Sequence, residues 1–397
     1  MSNMAAETIT VLSIDGGGVR GIIPGVILAY LESKLQEIAK KEKIEEDTWL
    51  ADYFDVISGT STGGLIATMI STPSDNGTRP LYEAKDIVPF YKRECPNIFS
   101  NKNNGSSEED YNRIEVEAEQ IPYGKVGKPT YGTYLQGLAK DILKEKRLSN
   151  TLTNVVIPAF DIKKFSPVIF SSYEVKSGNK VLDAKLADIC ISTSAAPTYL
   201  PAYNFENESE EFNMIDGGLA ANNPTVAAIT EAVKPRAKDV EQITFPDLLV
   251  ISLGTGVEGM TGEYNAEMVN GWSAFEWIRH PLWSGKRTPI IDFFSSGNAD
   301  MVDHYCTMFF QYTNNAQNFL RVQDNNLPKE LSRLDNASTD NMDKLEKFAQ
   351  TLLTKSVTRL NLSSFRRDLV EGETYEKALN RFAKLLVDIK KKRGGAA

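Results

Sequence analysis

Two short apolar segments near the start of the chain each end at a glycine-containing turn and continue into a stretch with helical spacing. Residues 9–14 are apolar and β-branched, and a glycine cluster follows them; residues 55–60 repeat this pattern. Apolar residues then recur at helical spacing in both cases, over 27–38 and 62–70. Strands that alternate with helices form a mostly parallel sheet with helices on both faces. The sequence therefore predicts an α/β fold of three layers, α/β/α.

The rest of the chain extends this pattern without an internal repeat or an interdomain linker. From about residue 341 the apolar residues recur at helical spacing to the end of the chain. We predict a main domain over 8–330 and a C-terminal helical extension over 331–397, packed on the same domain. Further buried strands are predicted at 155–160, 167–171 and 248–253.

Composition and charge exclude several classes of protein. The net charge of −9 and the pI near 5.1 argue against nucleic-acid binding, which needs a basic surface. The longest apolar run covers only residues 26–31, whereas a membrane-spanning helix needs about 20 residues. Three scattered cysteines suit neither a disulfide framework nor a metal site. The first residues lack the features of a signal peptide, so we expect a cytosolic protein. From the short apolar runs we expect no transmembrane segment, and we expect neither a cofactor nor a metal.

Residues 59–63, Gly-Thr-Ser-Thr-Gly, form a G-x-S-x-G motif between a predicted strand and a predicted helix. In such a turn the serine lies on a strained backbone that exposes its hydroxyl at the edge of the sheet. Glycine is needed on both sides because a Cβ would collide with neighbouring backbone. We predict Ser61 as a nucleophile, with Gly59 and Gly63 as the glycines of its turn.

A second glycine turn, Asp15-Gly-Gly-Gly-Val-Arg-Gly21, also follows a predicted strand and precedes a predicted helix. Such a turn can bind a dinucleotide pyrophosphate, but that needs an acidic residue where the second strand ends. Here the second strand ends at Gly59-Thr-Ser61, so the acidic residue that dinucleotide binding needs is missing. The alternative is an oxyanion hole, in which backbone N–H groups stabilise a negatively charged oxygen. We favour the oxyanion hole, formed by Gly16, Gly17 and Gly18.

A third motif, Asp216-Gly217-Gly218, follows a short predicted strand. By itself this tripeptide is typical of a turn. It gains weight because a serine nucleophile needs a base, and histidine is nearly absent: only His280 and His304 are present. We therefore predict Asp216 as the general base.

The three motifs in this order resemble those of the patatin-like family of lipid acyl hydrolases, most closely its plant members. Two blocks add to the resemblance, Ser192-Thr-Ser-Ala-Ala-Pro197 and Leu249-Val-Ile-Ser-Leu-Gly-Thr-Gly256, and the matches cover about residues 8–320. The resemblance implies a patatin-like catalytic domain with a Ser61–Asp216 dyad. It also implies an oxyanion hole made by the glycine-loop amides, with supporting residues in the motifs: Arg20, Gly21, Gly59, Gly63, Gly217 and Gly218.

The resemblance implies a substrate and a setting as well. The expected reaction is deacylation of membrane phospholipids and galactolipids through an acyl-enzyme, without calcium and during transient peripheral contact with the membrane. Arg20 would orient the glycine loop, face a lipid phosphate or form a structural ion pair. Vacuolar storage patatins carry a secretory signal that these first residues lack, so the resemblance favours the cytosolic members.

Two alternatives stay open at this point. An α/β-hydrolase esterase would use a triad of Ser61, Asp216 and a histidine, since both histidines follow Asp216 in the order that this fold requires. A storage or defence protein would keep the same site with vestigial activity.

Three tryptophans, Trp272, Trp277 and Trp283, cluster with Phe275 in one stretch of the sequence. Amphipathic aromatic residues can rest at a membrane interface, although core packing is the commoner reason for such a cluster. This stretch is a candidate lipid-facing cap.

Overall fold

The computed structural model describes residues 8–44, 47–100, 132–236, 247–259, 265–273, 276–277 and 289–394. In chain order, its strands are β1 (Ile9–Ile14), β2 (Val56–Gly59), β3 (Asn154–Asp161), β4 (Ser166–Ser171), β5 (Tyr203–Asn207), β6 (Glu210–Asp216), β7 (Leu248–Leu253), β8 (Phe319–Val322), β9 (Ser356–Leu360) and β10 (Arg367–Thr374). Its α-helices are α1 (Ile22–Lys41), α2 (Thr62–Ser71), α3 (Ile87–Ile98), α4 (Thr133–Leu143), α5 (Ser172–Lys176), α6 (Leu186–Thr193), α7 (Gly218–Ala221), α8 (Thr225–Val233), α9 (Ala266–Asn270), α10 (Pro289–Tyr312), α11 (Thr339–Thr354) and α12 (Tyr375–Gly394).

Eight of the strands in these ranges form one sheet, in the order β5-β6-β3-β2-β1-β7-β8, with β4 also paired to β3. The run β3-β2-β1-β7-β8 is parallel throughout. Strands β4, β5 and β6 are added in antiparallel pairings at the β3 end. The predicted mostly parallel sheet is confirmed.

Helices cover both faces of this sheet. Along β1, Leu12 and Ile14 pack in the cluster that contains residues of α1, α2, α3, α11 and α12. Ile9 and Val11 point to the other face, where they pack with residues of α8 and α10. Side chains that alternate between two buried faces require a helical layer on each side. The predicted three-layer α/β/α fold is confirmed.

The C-terminal segment packs into the same core as the sheet. Leu345 of α11 and Phe382 of α12 are fully buried in one cluster with Leu31 of α1. Strands β9 and β10 form an antiparallel pair between the two helices, so the segment is not helical throughout. The alternation that would signal a strand is weak here, because half of the residues of β10 are exposed and none is fully buried.

None of the helices in the described ranges combines the length and the hydrophobicity needed to cross a membrane. The division of the chain at residues 330 and 331 stays a prediction.

Candidate active site

Ser61 lies on a sharp turn between the end of β2 and the start of α2. Its φ of 54° and ψ of −123° are unusual for a residue with a side chain. A Cβ on Gly59 would overlap the carbonyl of Gly63, and a Cβ on Gly63 would overlap the carbonyl oxygen of Ile14. Both glycines are therefore required by close backbone contact, as the motif predicts.

The chain around Thr193 stabilises this turn by hydrogen bonds. The Ser61 N–H donates to Thr193 Oγ1 over 2.9 Å, and the Thr193 hydroxyl donates to the Pro158 carbonyl over 2.6 Å. Two residues further on, the Ala195 carbonyl accepts the N–H of Asp216 over 2.9 Å. One short segment thus positions both predicted catalytic residues. The sequence includes it in a family block but does not indicate this role.

The topology of the sheet brings Asp216 to the serine turn. β3 pairs with β2 at Val156 and with β6 at Ala159, and β4 occupies the opposite edge of β3 at both positions. β6 therefore continues the same edge that β2 leaves when the chain turns at Gly59. Because β6 is antiparallel to β3, and hence to β2, the carboxyl ends of β2 and β6 approach each other, with Ser61 after one and Asp216 at the end of the other.

Asp216 is 7% exposed, and its carboxyl group interacts with two groups of the nearby chain. One is the Gly218 N–H, which donates to Oδ1 over 2.7 Å, and the other is the Ser61 side chain, which stabilises the ionised carboxylate. Burial raises the pKa of Asp216 to about 6, and the hydrogen bonds from Ser61 and Gly218 oppose that rise. The carboxylate is therefore mainly ionised near neutral pH and able to take the serine proton.

The glycine loop lies against the serine turn, since a Cβ on Gly16 would be 3.3 Å from the Ser61 Cβ. The Gly16 N–H donates to the Asn222 carbonyl over 3.1 Å. Within the described part of the chain, the N–H groups of Gly17 and Gly18 have no acceptor, and both residues line the cavity at Ser61. In this structure the Gly16 amide fastens the loop to the chain after Asp216, so the prediction that Gly16 is a third donor stays a prediction. Gly17 and Gly18 remain as candidate donors.

Arg20 fastens the same loop from its other end. Its Nη1 donates to the Gly256 carbonyl over 2.9 Å, and its Nε lies 3.4 Å from the Gly17 carbonyl oxygen. Of the three roles considered for Arg20, these contacts favour orientation of the glycine loop.

Asp15, the residue before the loop, forms an ion pair that the sequence does not reveal. Both of its carboxylate oxygens accept from Arg321 of β8, over 2.9 and 2.5 Å, and both side chains are almost fully buried. Burial raises the pKa of Asp15, and the Arg321 charge opposes that rise. Arg321 stands 306 positions away in the chain, so only the pairing of β8 with β7 and of β7 with β1 brings it here.

A cavity of about 110 Å³ opens at Ser61. Ser61, Asp216 and the glycine loop line its polar end. Apolar side chains from α2, α3 and α4 and from the segment after α6 make up most of the remaining wall: Leu65, Phe90, Tyr91, Cys95, Ile98, Leu135, Ala196 and Leu200. The arrangement offers an apolar space that ends at a serine hydroxyl, a buried carboxylate and the backbone amides of Gly17 and Gly18.

Other candidate groups lie away from this arrangement or outside the described residues. His304 on α10 stacks on Phe365, with 4.7 Å between the ring centroids, and is not among the residues that line the cavity. His280, Phe275 and Trp283 fall outside the described residues. Trp272 and Trp277 are half-buried and meet edge to face at 5.2 Å. In the described ranges, no group of three or more His, Cys, Asp and Glu residues is arranged to hold a metal ion.

Comparisons with known proteins agree with the geometry. A family model described as "Patatin-like phospholipase" matches residues 12–229. "Patatin-like protein 3" of Arabidopsis thaliana is 45% identical, over 98% of this chain and 90% of that protein. "Probable inactive patatin-3-Kuras 1" of Solanum tuberosum is 39% identical, over 98% of this chain and 96% of that protein. A solved structure, VipD from Legionella pneumophila, covers 87% of this chain and 67% of its own at 11% identity and a TM-score of 0.29, too low to carry an argument. The chain belongs to the patatin-like phospholipase family and shares that family's general activity, lipid acyl hydrolysis.

Proposed function

We propose that this protein releases fatty acids from membrane glycerolipids, both phospholipids and galactolipids, with Ser61 and Asp216 as a catalytic dyad. The observation that carries the proposal is that these two side chains line the polar end of the same apolar cavity, where Ser61 stabilises the ionised form of Asp216. Membership of the family supports a lipid ester as the substrate. The apolar wall supports an acyl chain as the part that is bound.

In the proposed mechanism the Ser61 oxygen attacks the ester carbonyl while Asp216 takes the hydroxyl proton. The N–H groups of Gly17 and Gly18 stabilise the oxyanion of the tetrahedral intermediate, and loss of one such donor typically costs about 3 kcal/mol of transition-state stabilisation. The ester C–O bond then breaks, and Asp216 gives its proton to the departing lysolipid alcohol. In the second half, Asp216 takes a proton from the water that attacks the acyl-enzyme, and Ser61 recovers its hydroxyl as the fatty acid leaves.

Peripheral contact with the membrane is supported by α10, whose middle part contacts the chain after Asp216. Its Asn298 accepts a hydrogen bond from the N–H of Asn222, the residue whose carbonyl holds Gly16. Around this point α10 exposes Phe294 to 63% and Met301 to 38%. The exposed residues of α10 are all uncharged, which suits contact with lipid rather than with water. A cytosolic location stays a prediction from the sequence.

The triad and the storage protein remain the competing proposals. His304 on α10 stacks on Phe365, which lies between β9 and β10, and this favours the dyad over a triad that uses this histidine. A relative whose name includes "probable inactive" is 39% identical, so turnover by this chain has to be measured directly. Ser61 and Asp216 are both in place here, which supports an active enzyme.

The decisive experiment is Ser61→Ala. We expect the loss of ester hydrolysis, by roughly 10⁴-fold or more, and the loss of labelling by a fluorophosphonate probe. The matched control is Ser192→Ala, because Ser192 is a buried serine near the site that does not line the cavity. Labelling of another residue, or normal turnover by Ser61→Ala, would contradict the assignment. A wild-type protein that neither reacts with the probe nor hydrolyses esters would favour the storage protein.

A further inference from the structure

A second cavity, of about 40 Å³, adjoins the one that opens at Ser61. It is lined by residues of α2, α3, α4 and α6, with Tyr82 from the chain before α3. Its one hydroxyl from α2, that of Thr68, is engaged by the Cys190 thiol over 3.3 Å. The rest of its wall is mainly aliphatic: Leu65, Met69, Leu135, Leu138, Ala139, Ile142 and Leu143. Such a space suits hydrocarbon better than water, which needs several polar partners.

The two cavities share part of their walls. Leu65, Phe90 and Leu135 line both of them. Leu65 stands four residues after Ser61 on α2, which is about one helical turn. The partition between the cavities therefore begins next to the nucleophile and consists of apolar side chains from three different helices. Rotamer changes of such side chains need no backbone movement.

The position of the second cavity argues against an incidental packing defect. Protein interiors contain few voids larger than a water molecule, and this one adjoins the proposed acyl site through a shared wall. Phe90 and Leu135 belong to the apolar wall of the first cavity, away from its polar end. The same two side chains also line the second cavity.

We propose that the second cavity is the distal part of the acyl-binding site, and that Leu65, Phe90 and Leu135 form a gate through which long acyl chains pass. This inference rests on the proposed function. Short acyl groups occupy the first cavity alone, whereas long ones continue past the gate. The enzyme therefore selects for chain length at a point remote from the dyad, and its preferred substrates carry long acyl chains.

The test fills the second cavity without touching the first. Ala139 of α4 is 6% exposed and lines the second cavity only, so Ala139→Met places a longer apolar side chain there. We expect the ratio of kcat/KM for a sixteen-carbon ester to that for a four-carbon ester to fall by about tenfold or more, because burial of each methylene contributes to binding. Leu135→Ala, which opens the gate, should raise the same ratio.

Ala232→Met is the matched control, since Ala232 is 4% exposed in α8 on the other face of the sheet. It adds the same side-chain atoms at a similarly buried position and should leave the ratio of the two kcat/KM values unchanged. If Ala139→Met does not fold, Leu138→Phe fills the same cavity from a half-buried position. An unchanged ratio in a folded cavity-filling variant would overturn the proposal.

A second readout does not depend on turnover. Alkyl fluorophosphonates of four and sixteen carbons are allowed to modify Ser61, and the melting temperatures of the adducts are compared. In the wild type the longer chain should raise the melting temperature more, and in Ala139→Met this difference should disappear. Equal melting temperatures for the two wild-type adducts would overturn the gate while leaving the dyad intact. Failure of the probes to modify Ser61 would instead overturn the proposed function.

Discussion

At the scale of single residues, burial sets the chemistry of Asp216. Its pKa of about 6 lies above the usual value for an aspartate, because burial outweighs the hydrogen bonds from Ser61 and Gly218. Only the ionised form can accept the serine proton. We therefore expect kcat/KM for a soluble ester to rise with pH through about 6 and to level off above 7, since kcat/KM reports the free enzyme. Asp216→Asn should lose about 10²–10⁴-fold in rate, and the same inflection in that variant would point to another base.

The histidines provide the sharpest distinction between a dyad and a triad. A variant with both His280→Gln and His304→Gln should keep most of its activity, because in the proposed dyad Asp216 takes the serine proton itself. In a triad, loss of the histidine removes the general base and costs several orders of magnitude in rate. The measurement is activity per folded molecule, with folding checked by circular dichroism. A fall to the level of Ser61→Ala in a folded variant would establish the triad.

Sequence motifs predicted the residues of the site better than their contacts. Each glycine of the serine turn is required by a steric reason that can be stated in advance. The hydrogen bond from the Gly16 amide to the Asn222 carbonyl could not be predicted in advance, because it depends on where the chain goes after Asp216. The support by Thr193 and the pairing of Asp15 with Arg321 were missed for the same reason. Contacts across large sequence separations depend on strand order, which local patterns do not encode.

At the scale of elements, a buried carboxylate on α1 joins three parts of the fold. Glu32 accepts the backbone N–H groups of Leu50 and Ala84, over 3.1 and 2.7 Å. Burial raises the pKa of Glu32 to about 7, although the two backbone hydrogen bonds oppose the rise. A folded-state pKa above the unfolded value means that the folded protein binds more protons between the two values. Its contribution to stability is therefore complete below about pH 4.5 and lost as the pH rises through 7.

We expect Glu32→Gln to remove this pH dependence. In the wild type, the free energy of unfolding should fall by roughly 3 kcal/mol between pH 4.5 and pH 8 because of Glu32. The reason is that its pKa of about 7 in the folded protein lies well above the ordinary value of 4.5. The difference in unfolding free energy between wild type and variant, measured in urea at several pH values, should shrink or reverse as the pH rises. Glu37→Gln on the exposed side of α1 is the control and should not alter this slope. A difference independent of pH would show that Glu32 does not titrate in this range.

Six of the eight strands of the sheet were predicted from their composition, but β5, β8 and the order of the strands were not. Buried parallel strands such as β1 and β7 are short apolar runs that end in turn residues. The antiparallel return of β6 onto β3 has no such signal, and it is what brings Asp216 to Ser61. The β9–β10 pair was missed because its residues do not alternate regularly between apolar and polar.

At the scale of the whole molecule, the two ends of the described chain are held together. Arg393, near the end of α12, donates to both carboxylate oxygens of Asp55 and to the Thr8 carbonyl oxygen, while Asp55 also accepts the N–H of Thr10 on β1. The last helix is thus tied to the start of the first strand and to the chain that leads into β2. Arg393 belongs to the basic run at residues 390–393. This run therefore contributes at least one residue to the fold rather than to a membrane-binding patch.

The surface around α10 leads to a prediction about the membrane. Phe294→Ser with Met301→Ser should reduce hydrolysis of phosphatidylcholine vesicles by about tenfold or more, since each apolar side chain contributes about 1.5–3 kcal/mol when fully buried. Hydrolysis of a soluble short ester should stay unchanged, because neither side chain lines the cavity at Ser61. Leu152→Ser is the matched control: Leu152 is 40% exposed, close to the 38% of Met301, but precedes β3 at the opposite edge of the sheet from Ser61.

The charge of the molecule makes this prediction more specific. With a net charge of −9 and an uncharged outer face on α10, binding should rest on apolar contact rather than on attraction to anionic lipid. Addition of phosphatidylserine to the vesicles should therefore not increase binding, and added salt should not weaken it, because salt screens only charge interactions. Binding that depends on anionic lipid, or an equal loss of vesicle activity in Leu152→Ser, would show that the protein meets the membrane through a different surface.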